Sequence, residues 1–161
     1  MPEVSGNHKA DDVVIQKLEA SKSELARTIA QAILAQNLQD YVNLNLSQLS
    51  QLIIPSIEMV LQYFRDGDVG AIKANILQRA EARIKRGFHL DSMEVAIATI
   101  ANEIEKLIDS VATSKRADSI SEVVVQALQV KYKRRLDNVR VLSQVQVIAS
   151  QLNTPDAGAA S

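Results

Sequence analysis

The chain has 161 residues, 47% of them hydrophobic and 23% charged, a mix that suits one globular domain burying about two-thirds of its unfolded surface. Its net charge of −1 gives no general attraction to nucleic acid or to an acidic membrane surface. The absence of cysteine excludes disulfides, thiolate metal sites and cysteine nucleophiles, and fits a reducing cytoplasm.

Residues 1–10 are small and polar and are expected to be a disordered lead. They hold no apolar run of signal-peptide length, and charges or amides interrupt every apolar stretch before it could span a membrane. A soluble, cytoplasmic protein is the expectation. Ser21 and Glu24 have the form of a capping box, and Leu25, Ile29, Ala32 and Ile33 follow at helical spacing to an end near Gln36-Asn37. Val13, Val14 and Leu18 form either a separate short helix or an extension of this one. Residues 38–46 have no clean period and read as a connector.

Leu49, Leu52, Ile53, Ile57, Val60, Leu61 and Phe64 make the next stripe, with Pro55 marking either a kink or a start. Gly67 suits the left-handed position past a helix end, and Asp68 suits the N-cap of the following helix. That helix turns Val69, Ile72, Ile76, Ala80 and Ile84 inward and Lys73, Arg79, Arg83 and Lys85 largely outward, stopping at Arg86-Gly87. Asp91 and Glu94, flanked by Leu90 and Val95, propose a capping box with a hydrophobic staple. Met93, Ile97, Ile100, Ile104, Leu107 and Val111 carry the helix to a break at Thr113–Ala117. Ser119 with Glu122 proposes the last box. From there to about Leu152 neither glycine nor proline intervenes, so one helix of about 50 Å is expected. Leu128, Tyr132, Leu136, Val139 and Leu142 run along it at the mixed three-and-four spacing of a coiled-coil seam, and a monomer would leave that stripe exposed. It is the expected dimer contact, and Leu136→Asp the expected way to make monomers. Residues 153–161, with Pro155 and Gly158, read as a frayed tail, and no β pattern competes.

The inventory for catalysis is sparse, and no enzyme is expected. There are two histidines, His8 and His89, and no HExxH, Walker glycine loop, GxGxxG or GxSxG elbow. No metal site or cofactor is expected. His89 is the one haem candidate, and its simpler explanation is a loop residue ahead of a helix start, because no second ligand accompanies it. Lys131-Tyr132-Lys133-Arg134-Arg135 could grip phosphates. Asp137 interrupts it and the chain lacks a basic excess, which favours a solvated helix face over nucleic-acid binding.

The segment from Leu61 to Asp68, closing on Gly67-Asp68, and the later Gly87-Phe88-His89-Leu90 turn resemble the N-terminal domain of RsbR-type proteins, the stressosome co-antagonists of bacterial general stress signalling. Gly67, Asp68, Gly87, Phe88 and Leu90 carry the match, and His89 stands where that pattern commonly has proline. The resemblance implies an all-α, globin-like bundle of five to six helices without haem. It would be a sensor domain over 11–118 that dimerises and passes a signal to protein partners through a transmitter helix at 119–152. The family's usual STAS domain is not present in this sequence. A haem-binding globin sensor and a structural or nucleic-acid-binding helical subunit are the competing readings.

Overall fold

The computed structural model describes residues 13–153, and among them every regular element is α-helical. The expected N-terminal lead, with His8, and the tail after Asn153 lie outside the described residues. Helix α1 covers 13–20 and is separated by a one-residue turn at Ser21 from α2, Lys22–Leu34. The remaining helices are α3 (Leu46–Asp66), α4 (Val69–Lys85), α5 (Leu90–Ala117) and α6 (Glu122–Asn153). Helix α2 packs on α3 and reaches across to α5, while α6 packs along both α4 and α5. The long C-terminal helix is present, and at 32 residues it extends about 48 Å.

The ends of these helices divide into those fixed locally and those fixed by distant contacts. Gly67 is left-handed at φ 65° and its N–H donates to the Tyr63 carbonyl, closing α3. The Asp68 carboxylate then accepts from Ala71 N–H at 3.0 Å, opening α4. Gly87, at φ 88°, closes α4 with a Schellman pair, Phe88 N–H to Arg83 O and Gly87 N–H to Ile84 O. The connector ends in a capping box that its polar composition concealed. Asn45 Oδ1 accepts from Gln48 N–H at 2.8 Å, and Gln48 Oε1 accepts from Asn45 N–H at 3.0 Å. Helix α3 runs unbroken through Pro55, which lies on the solvent side beside exposed Gln51, whose carbonyl is the one left without a helical donor.

Three expected capping boxes do not form. Ser21 precedes α2 without a side-chain cap bond. The proposed box at Asp91 does not form: α5 starts two residues earlier, at Leu90, with His89 as N-cap and Asp91 inside the first turn. The cause is a tertiary bond, Asp40 accepting from His89 N–H at 2.8 Å. The break expected at Thr113–Ala117 is helix, and Ser119 is not a cap. It adopts φ 62° and ends α5, with Ile120 N–H donating to Lys115 O and Ser119 N–H to Arg116 O.

The largest difference concerns α6. Leu128, Tyr132, Leu136 and Val139, expected as a dimer face, are buried in the chain's own core, and Leu142 is partly buried against it. Tyr132 is fully buried and its ring lies 5.1 Å from that of Phe64 on α3. Asn138 Nδ2 donates to Tyr63 Oη at 3.0 Å, and Arg135 reaches the Phe64 carbonyl at the end of α3. The connection from α5 is short, so α6 folds straight back along it. Lys133 pairs with Asp109 at 2.8 Å and Arg140 with Glu105 at 2.8 Å. The stripe's mixed spacing serves a bundle interior as well as a coiled-coil seam, which is why periodicity alone misassigned it.

Leu136→Asp is therefore expected to unfold the chain rather than to dissociate it. A carboxylate at this 1%-exposed position costs more than about 4 kcal/mol. Urea denaturation followed by circular dichroism measures it; a midpoint within error of wild type would contradict the burial.

Candidate functional site

Among the described residues no group of three His, Asp or Glu side chains is placed to hold a metal ion, and no helix is long and apolar enough to cross a membrane. Two other features stand out: a cleft where four helices meet, and the outward face of α6.

The cleft lies between Ser56 and Met59 of α3, Ile76, Arg79 and Arg83 of α4, Met93, Ile97 and Ile100 of α5, and Ser143 and Val147 of α6. A cavity of about 50 Å³ at the Arg79 end shares Ser56, Met59, Ile97, Ile100 and Ser143 with a second of about 40 Å³, which runs on toward Leu136 and Val139. Arg79, expected to face outward, instead turns its guanidinium into this cleft and donates to Ser56 Oγ at 2.6 Å. No carboxylate pairs with Arg79 or with Arg83, one turn further on, among the described residues. Burial, with a smaller contribution from the like charge of Arg83, pulls Arg79 down to about 10. Nothing in the sequence singled out Arg79. An arginine among apolar residues at helical spacing looks the same whether it faces water or a cavity.

The outward face of α6 is the second feature. Val123, Val130, Val141, Val145, Ile148 and Leu152 are each more than half exposed, Leu152 at 84%. At about 100° per residue they fall on one side of the helix, nearly opposite the buried stripe. In the last three turns the usual arrangement is largely inverted: Ser143, Gln146 and Ser150 are buried beside Val147 while Val141, Val145, Ile148 and Leu152 face out. Near its middle the outward face carries Arg134 and Asp137, both exposed.

The other singled-out residues have structural roles. His89 is 62% exposed along its side chain, lies outside the cleft, and places Nδ1 3.0 Å from Asp40 Oδ1. Asp40 feels burial that raises its pKa, but hydrogen bonds from the His89 backbone, the imidazole and Ser92 outweigh it and hold the carboxyl below the usual range. Tyr41 beside it is buried, meets Phe88 edge-on at 5.5 Å, and has a hydroxyl with no hydrogen-bond partner among the described residues. Burial pushes that phenol up, against the opposing charge of Arg83. The basic stretch is largely occupied: Lys133 pairs with Asp109, Arg135 caps α3, and Lys131 lies 5.4 Å from the Tyr132 ring centre. The residues that carry the RsbR resemblance are helix ends: Gly67 and Gly87 are left-handed caps, Asp68 is an N-cap, and Phe88 and Leu90 pack half-buried behind the α4–α5 turn.

No protein-family model, curated protein or solved structure matches the chain.

Asp40→Asn is expected to lower stability at neutral pH by about 1 kcal/mol, through weakened bonds to His89. A carboxylate with a depressed folded pKa contributes stability above its unfolded value and loses it as pH falls through the folded one. The variant should accordingly show a shallower loss of stability between about pH 4 and pH 2 than wild type. Urea midpoints across that range check this; parallel curves would refute it.

Proposed function

We propose that the chain is a non-catalytic sensory and regulatory interaction domain that works as a homodimer, built on the outward face of α6. The observation that carries this reading is the outward row of Val141, Val145, Ile148 and Leu152 in α6's last turns, exposed while Ser143, Gln146 and Ser150 join Val147 on the buried side. Contiguous exposed apolar surface of this kind marks an interaction site.

A second copy fits the face in one particular way. Val130 and Val141 are equidistant from a point between Arg135 and Leu136, as are Arg134 and Asp137, and Val123 and Ile148. A two-fold axis through that point sets α6 antiparallel to its counterpart, valine against valine on either side and Arg134 against Asp137 at the centre. Leu152 then reaches toward the partner's α5–α6 turn, where Ile120 is exposed. Such self-complementarity is what an isologous interface requires. The dimer responds to a signal by shifting between two packings of the paired helices. The resemblance to RsbR-type N-terminal domains supports placing it in bacterial stress signalling, among protein partners in the cytoplasm. The haem-sensor alternative is disfavoured by the exposed, Asp40-bound position of His89. The nucleic-acid alternative is disfavoured by the internal partners of the basic stretch.

Size-exclusion chromatography with light scattering tests the interface. Wild type is expected at twice the protomer mass and Val141→Asp at the protomer mass, with the helical spectrum unchanged because the site is exposed. Arg134→Asp should weaken the dimer by repulsion, and adding Asp137→Arg should restore it. A monomeric wild type, or a double variant no stronger than the single, refutes this arrangement.

A further inference from the structure

We propose that the cleft where α3, α4, α5 and α6 meet binds a small monocarboxylate with an aliphatic tail, its carboxylate on Arg79 and Ser56 and its tail along Met59, Ile97 and Ile100. This site stands on the geometry of one protomer and does not depend on the dimer.

The head-group assignment follows from Arg79. A guanidinium offers five N–H donors in a planar fork matched to a carboxylate, and one contact, to Ser56 Oγ at 2.6 Å, is made here. Arg83 contributes a second positive charge to the same wall one helical turn away, and neither has an acidic partner among the described residues. Like charges at this spacing disfavour one another, and partial burial adds a desolvation cost. Arg79 nevertheless stays charged at neutral pH, since its pKa falls only to about 10. An anion seated beside this pair, on the remaining N–H groups of the fork and the Ser56 hydroxyl, relieves both penalties.

The tail assignment follows from the rest of the lining. Beyond the arginines the walls are Met59, Ile97, Ile100 and, deeper, Ile104 and Leu136, with Ser143 the remaining polar group. Such walls favour hydrocarbon over a phosphate ester or a sugar. Size limits the tail. The two joined cavities, of about 50 and 40 Å³, are together smaller than the roughly 150 Å³ void that accepts benzene. A carboxylate with a few carbons fits once Met59 and Met93, the most adaptable side chains present, move aside.

Isothermal titration and thermal denaturation of the full chain with hexanoate provide the test. Hexanoate is expected to bind one per protomer and to raise the melting temperature with concentration. Acetate and phosphate, which lack the tail, and hexanol, which lacks the charge, should each bind at least about tenfold more weakly. Arg79→Met keeps the stem and removes the fork, so it should lose hexanoate binding by a similar factor; Met59→Phe should block the tail with the fork intact. Absence of saturable binding, equal affinity for hexanol, or unchanged binding in both variants overturns the site. Val141→Asp should still bind hexanoate saturably, one per protomer, so failure of the dimer and failure of this site are told apart.

Discussion

Burial of Val125, Leu128, Tyr132, Leu136 and Val139 fixes how α6 is rotated about its own axis, and both the cleft and the outward face depend on that rotation. Tyr132 is locked against Phe64, Asn138 holds the Tyr63 hydroxyl, and Arg135 seals the carbonyl end of α3. With those contacts made, Ser143 and Val147 must turn toward α4 and α5, and Val141, Val145 and Ile148 must turn to solvent. The cleft and the exposed face are thus two consequences of one packing choice.

That choice explains where the sequence was legible. A helix with apolar residues on two opposite sides announces that it has two surfaces to cover, but its period does not rank them. Leu128, Tyr132 and Leu136 have the spacing of a seam, and Val145 and Leu152 follow them along the same helix. They belong to the other side of the helix, and only the tertiary partners Phe64 and Tyr63 distinguish core from rim. The same ambiguity hid Arg79, which helical spacing placed with the outward arginines of α4.

Helix ends follow a related rule. Gly67 and Asp68 were readable because the left-handed turn and the Asp68–Ala71 bond involve a handful of consecutive residues. Asp91 and Glu94 had equally good local form and still failed. Asp40, far away in the chain, accepts from the His89 backbone at the start of α5, two residues ahead of the expected one. Ser119 failed because a Schellman closure of α5 used its backbone before its side chain could cap α6. The motif behind the family resemblance is made of such ends, so it reports how turns are built.

The cleft and the outward face share α6, and this gives the two proposals a physical connection. Ser143 and Val147 line the cleft, while Val141, Val145 and Ile148 on the same turns face out, so a molecule wedged between α5 and α6 acts on the rod from behind the proposed seam. Coupling requires that the ligand prefer one setting of α6 over another, since equal affinity for both would shift nothing. The C-terminal third is the part of α6 least held by large apolar side chains. Its inner surface is Ser143, Gln146, Val147 and Ser150, of which only Val147, packed with Ala80 and Met93, is apolar, so rotating or lifting that segment forfeits less core packing than it would around the tyrosine and leucines upstream. The Tyr132–Leu136 segment, by contrast, is held firmly. Movement would therefore concentrate after Val139, where the cleft's Ser143 and the face's Val141 lie within one turn of each other.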